Sequence, residues 1–203
     1  KRQSRVVPMP IDCQSPPRRP LRYVVLPICL LAAGLGMVDG VRSAELKRPL
    51  EPIAAKLEPT RKLVYKTVAD RSLQLHIFEP ARHLPTDARP AFLIIHGGGW
   101  TGGTARKFYP LAAHYSQLGM VGVSLEYRLI NSRQGTTVFD CVRDGRSAVR
   151  YLRSHASELG IDPDKIVVGG GSAGGHVAAA TALFEGVDEE GEDTSVSCIP
   201  NGL

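Results

Sequence analysis

No apolar run in these 203 residues is long enough to cross a bilayer comfortably, no segment repeats, and no long low-complexity tract occurs. Those absences exclude a polytopic membrane protein, a solenoid and a fibre, and leave one globular domain with a sizeable core. No Gly-Lys-Ser or Gly-Lys-Thr follows a glycine loop, which excludes a phosphate-cradling P-loop. The six histidines show no metal-ligand spacing, so neither a metal nor an organic cofactor is expected. Cysteine is scarce, at four residues. Cys13 and Cys29 fall in the leader described below, which leaves Cys141 and Cys198 as two buried free thiols or, after export into an oxidising compartment, a disulfide.

The net charge of +5 lies outside the folded part. Lys1, Arg2, Arg5, Arg18, Arg19, Arg22 and Arg42 against Asp12 and Asp39 account for the whole excess within residues 1–44, and the remainder is formally neutral. A nucleic-acid partner is therefore not expected. The same leader carries a basic stretch through Arg22, an apolar run from Tyr23 to Val38 interrupted by Pro27, Gly34 and Gly36, and then small residues. This is the pattern of an export signal, with removal expected between Gly40 and Ala44, a secreted or periplasmic product and no stable membrane span afterwards. A buried apolar helix of the mature domain is the alternative reading of the run, and no oligomeric state is implied.

Residues 1–44 thus form an N-terminal extension and signal peptide. Residues 45–60, with Pro49, Pro52 and Pro59, read as a linker, and residues 61–203 as the fold. Lys62–Val68 and Ser72–Phe78 alternate as the two strands of an antiparallel hairpin. Ala91–Ile95, Met120–Tyr127 and Ile166–Val168 are apolar runs of strand length that imply burial on both faces. Helical patterns cover Arg106–Leu118, Phe139–Leu159 and Ala173–Phe184, with Asp162-Pro163 read as a turn before the last strand. Strands alternating with helices predict an α/β fold, a mostly parallel sheet flanked by helices. The acidic segment Glu185–Ser195 reads as a solvated loop, and Val196–Ile199 as the beginning of a further strand.

Two glycine motifs carry chemistry. Gly170-Gly171-Ser172-Ala173-Gly174 fits G-x-S-x-G after a buried strand and before a helix, where a sharp turn lifts a serine hydroxyl above the sheet. The following helix aims its N-terminal amides at the same spot. His96-Gly97-Gly98-Gly99-Trp100 follows the buried strand at Ala91 and offers amides unobstructed by side chains to a developing oxyanion. Such donors are each worth about 3–4 kcal/mol in a transition state. Gly98, Gly99 and Ala173 are the expected donors, with His96, Gly97, Trp100, Gly170 and Gly174 as supporting residues. Either motif alone could be a turn made for packing; together, in this order, they point to acyl transfer with Ser172 as nucleophile. The same glycines, at Gly169, Gly171 and Gly174, also satisfy the dinucleotide-binding G-x-G-x-x-G. Against that reading, two strand-helix units precede the motif, and Glu189, Glu190 and Glu192 stand at the acidic position without a strand before them.

Ile94–Trp100, Glu126-Tyr127-Arg128-Leu129 and Lys165–His176 resemble the α/β-hydrolase superfamily, in its branch of hormone-sensitive-lipase-like and acetyl-xylan or feruloyl esterase-like enzymes. The resemblance runs from about Leu63 to Phe184. It implies a Ser-His-Asp mechanism on small or carbohydrate-linked acyl esters, acetyl or feruloyl, without a cofactor. Peptidases and arylformamidases share variants of both motifs and remain alternatives. The sequence departs from the family in having no histidine beyond His176, whereas the acid and then the base should follow the serine. His176, one helical turn past Ser172, is expected to pack near the site rather than to act as base. The expectation is a chain truncated at the C-terminus, lacking the last strands together with the catalytic Asp and His, and inactive or nearly so by itself. A non-catalytic, pocket-binding remnant of the fold is the other reading.

Overall fold

The structure, a computed structural model, describes residues 49–203. The expected export signal lies outside the described residues. Within the span read as a linker, Pro52 in the first turn helps start a short helix, α1 (Glu51–Lys56). It is tied to the domain by Arg106, which donates to the Ala55 carbonyl and the Glu58 carboxylate.

Five strands form one sheet, β1 (Arg61–Val68), β2 (Arg71–Phe78), β3 (Arg89–Ile95), β4 (Val121–Leu125) and β5 (Ile161–Gly170), in the order β1-β2-β4-β3-β5. β1 and β2 make the predicted antiparallel hairpin, reversed at Ala69 with φ 53°, and β2 runs antiparallel to β4. The β3–β4 and β3–β5 pairs are parallel. All five residues of β4 are buried, as its central place requires. The Asp162-Pro163 turn is absorbed as an excursion within β5, because Ile161 pairs with Arg89 and Ile166 already pairs with Ala91.

Two layers of helix cover the sheet. Phe78, Phe92 and Ile94 pack on one face under α2 (Tyr109–Gln117), through Tyr109 and Ala112. On the other face Leu93, Ile95, Val123, Leu125, Ile166 and Val168 meet Val149 and Leu152 of α3 (Val138–Ser154) and Val177 and Ala178 of α5 (Ala173–Leu183). A capping box between Thr137 and Asp140 starts α3. The single helix expected from Phe139 to Leu159 is interrupted at His155. There the Ser154 hydroxyl and the His155 amide both engage the Tyr151 carbonyl, and a one-turn α4 (Ala156–Leu159) completes the span.

The acidic segment after α5 is the expected loop, exposed at most of its residues, but three of its carboxylates, Asp188, Glu189 and Glu192, are half-buried and paired. Three arginines on α3 hold it: Arg143 donates to the Asp188 carbonyl, Arg146 to the Asp188 carboxylate and the Phe184 carbonyl, and Arg150 to Asp188, Glu192 and the Val196 carbonyl, while Arg153 holds the chain that follows through Asn201 and the Ile199 carbonyl. Charge complementarity with a basic ridge places this exposed loop. Residues 196–199 form no strand; the pairing with β5 comes slightly later, where the Val168 amide donates to Gly202 at 3.0 Å. Cys141 and Cys198 are free and buried, so they do not form a disulfide. Among the described residues no helix is long and apolar enough to cross a membrane, and no cluster of metal-ligating side chains occurs.

Candidate active site

β5 ends at Gly170 and α5 begins at Ala173, so the chain reverses over two residues. Ser172 sits at the apex with φ 52° and ψ −122°, a region that non-glycine residues rarely occupy. Its side chain is exposed, while Ala173 and Gly174 behind it are buried. Closeness of backbones demands the glycines. A Cβ on Gly174 would stand 2.6 Å from the Ile95 carbonyl carbon and 2.7 Å from the His96 carbonyl oxygen.

The second motif leaves the adjacent parallel strand β3 and turns directly across this apex. A Cβ on Gly97 would lie 2.5 Å from the Gly171 carbonyl oxygen and 3.1 Å from the Ser172 Cβ, so the two motifs touch. Gly98 and Gly99 follow with φ 142° and 61°, both exposed, and Trp100 also has a positive φ of 61°. Thr101 and Gly102 fold back to donate to the Gly98 carbonyl, which closes the loop into a tight turn. The amides of Gly98 and Gly99 themselves donate to no group among the described residues. Ala173 opens α5, where first-turn amides have no intrahelical acceptor. Every residue singled out in the two motifs is thus gathered at one end of the sheet, at the C-terminal edges of β3 and β5.

His96 does not face the serine. Its ring is buried, leans against Tyr127 at 4.5 Å between centroids, and carries Nδ1 3.1 Å from the Gly97 carbonyl. Burial pushes its imidazole below the ordinary value, which favours the neutral ring. His176 is exposed on α5 and meets Trp100 edge to face at 5.4 Å, with Phe184 beyond it, so it packs beside the site as expected. The buried His76 is engaged elsewhere, between the Tyr109 hydroxyl and the Glu126 carboxylate. Among the described residues no histidine or carboxylate hydrogen-bonds the Ser172 hydroxyl.

Sequence reasoning assigned no role to the chain that leaves β4. Arg128 and Lys66 surround the fully buried Asp144, and Glu189 from the acidic loop bridges both cations beneath that exit, with Asp140 and Glu192 at the edge of the cluster. The signal was present in Glu126-Tyr127-Arg128-Leu129, a charged and polar stretch closing an apolar strand.

A family model for BD-FAE matches residues 75–198, which include both motifs. The chain belongs to the BD-FAE family. Esterase 2 of Thermogutta terrifontis, in its apo form, is 42% identical and superposes with a TM-score of 0.67, covering 70% of this chain and 52% of that one. The likeness establishes the α/β-hydrolase fold for this BD-FAE member. LipM of Mycobacterium tuberculosis is 35% identical over 167 residues, which are 75% of this chain and 38% of LipM. The carboxylesterase NlhH of the same species is 31% identical over 157 residues, 77% of this chain and 47% of NlhH. This BD-FAE chain therefore spans less than half the length of either curated relative.

Proposed function

We propose that this chain carries the nucleophile and the oxyanion-binding half of a serine carboxylic-ester hydrolase. The observation that supports the reading most is the contact of Gly97 with a serine held at positive φ. In the proposed reaction the Ser172 oxygen bonds to the ester carbonyl carbon and gives its proton to a base. The Gly98, Gly99 and Ala173 amides hold the oxyanion, the bond to the alcohol breaks as the base returns the proton to the leaving oxygen, and water then attacks the acyl group to release the acid and restore the serine hydroxyl. Short acyl groups are the proposed substrates, because Thermogutta esterase 2 has been captured with propionate and with butyrate. Carbohydrate-linked acetyl or feruloyl esters are the proposed natural class, and the leader composition supports a secreted or periplasmic setting. With no base at the Ser172 hydroxyl among the described residues, slow turnover is expected of the 203-residue chain.

Paraoxon tests the nucleophile without requiring turnover, and it phosphorylates esterase 2. Attack by the Ser172 oxygen forms a P–O bond, expels p-nitrophenolate and releases the serine proton to solvent. Peptide mass mapping should find the diethylphosphoryl group on Ser172, and p-nitrophenyl acetate should be cleaved slowly by the chain and not above background by Ser172→Ala. Labelling confined to other residues would overturn the proposal.

A further inference from the structure

The segment leaving β4 grips the oxyanion loop at both of its ends. The Tyr127 hydroxyl donates to the His96 carbonyl at 2.7 Å, and the Ile130 amide donates to the Trp100 carbonyl at 2.8 Å. Only Gly97, Gly98 and Gly99 lie between the two anchored carbonyls. Glycines resist no rotation themselves, so the direction of their amides depends on how the ends are pinned. Tyr127 is buried, its ring lies against the His96 ring, and burial pushes its phenol up to about 12, so it remains a hydrogen-bond donor throughout the neutral range. Its own base is fixed from below, because the Arg128 amide donates to Asp144 at 2.8 Å.

We infer that Tyr127 is a positioning residue for the oxyanion hole: it fixes the peptide plane between His96 and Gly97 and so sets where the following glycine amides point. The inference rests on the proposed role of those amides for its catalytic consequence, but not for the mechanical one. Tyr65 supplies a matched control, since it is also buried and donates its hydroxyl to a backbone carbonyl, that of Glu126, at 2.8 Å, without touching the loop.

Tyr127→Phe and Tyr65→Phe in the 203-residue chain should therefore lose similar stability yet differ at the loop. Hydrogen exchange followed by mass spectrometry should show the protected amides of the peptide covering residues 97–103, those of Thr101 and Gly102 that donate to the Gly98 carbonyl, exchanging about tenfold faster in Tyr127→Phe, the factor one lost hydrogen bond allows, and unchanged in Tyr65→Phe. Paraoxon labelling of Ser172 should slow by a similar factor in Tyr127→Phe alone, with its half-saturating paraoxon concentration unchanged. Exchange in that peptide equal to the parent's, or equally raised in both variants, would overturn the inference. Absence of any Ser172 labelling in the parent would instead sink the hydrolase reading, and the exchange result would still decide whether Tyr127 holds the loop.

Discussion

Replacing Asp144 by alanine probes the charge cluster under the β4 exit. The carboxylate is fully buried and accepts from Lys66 Nζ at 2.9 Å, from the Arg128 amide at 2.8 Å, and from Arg128 Nε and Nη2 at 2.9 and 2.8 Å. Lys66 and Arg128 are themselves only 7% and 11% exposed, so after the substitution two buried cations share Glu189 and otherwise keep only the longer contacts of Arg128 to Asp140 at 3.5 Å and of Lys66 to Glu192 at 3.9 Å. Removing one member of such a cluster costs about 3–5 kcal/mol, mostly because the surviving charges are left desolvated and underpaired. A domain of this kind has about 5–15 kcal/mol in total, so Asp144→Ala should sit near the edge of folding. With a urea slope of about 2 kcal/mol per molar, the unfolding midpoint followed by circular dichroism should fall by about 1.5–2.5 M. Asp144→Asn, which retains an acceptor oxygen, should fall between the two. A loss for Asp144→Ala below about 1 kcal/mol, the value of an exposed ion pair, would refute the reasoning that burial makes this cluster consequential.

Other outcomes follow from contacts described above. Gly174→Ala places a methyl within 2.7 Å of the His96 carbonyl oxygen and should lower stability by about 1–3 kcal/mol or more, so an unchanged melting temperature would contradict the close approach of α5 to β3. The Arg146 hydrogen bond, aided by Arg150, holds the Asp188 carboxyl below its ordinary value. Its stabilisation is therefore complete above the unfolded pKa of about 3.9 and is lost as pH falls through the lower folded value. Asp188→Asn should accordingly flatten the acid limb of the stability curve while leaving its relative loss constant above about pH 5. Burial pushes the Cys141 thiol up to about 11, so iodoacetamide at pH 8 should modify it only after denaturation, which peptide mapping would register.

The sheet was legible because its strands differ in kind. The hairpin alternates at period two, whereas Ala91–Ile95 and the β4 segment are apolar throughout, and the two glycine motifs follow two of the buried strands. The acidic segment is legible as an exposed loop, but its ion pairs are not, because composition says nothing of which carboxylates find a partner. Its partners stand at Arg143, Arg146 and Arg150, three or four residues apart on one helix, and that ridge was the signal that could have located it. Arg146 and Arg150 are buried, which an unpartnered arginine would not tolerate. Contacts of Tyr127 and Asp144 depend on how β4 meets a loop and a helix distant in sequence, and no local pattern encodes that meeting. The excursion inside β5 escaped for a related reason: Asp162-Pro163 reads as a turn whether or not the strand resumes in the same line.

The strained serine has an evolutionary corollary. A side chain held at φ 52° and ψ −122° raises the energy of the folded state by about 1–3 kcal/mol, and glycine at the same position would be free of most of it. Any search that ranks variants of this chain by heat resistance will thus be drawn to Ser172→Gly. Under the proposed role of Ser172, robustness and reactivity are opposed at this one side chain, and loss of the hydroxyl would relieve strain without touching the core.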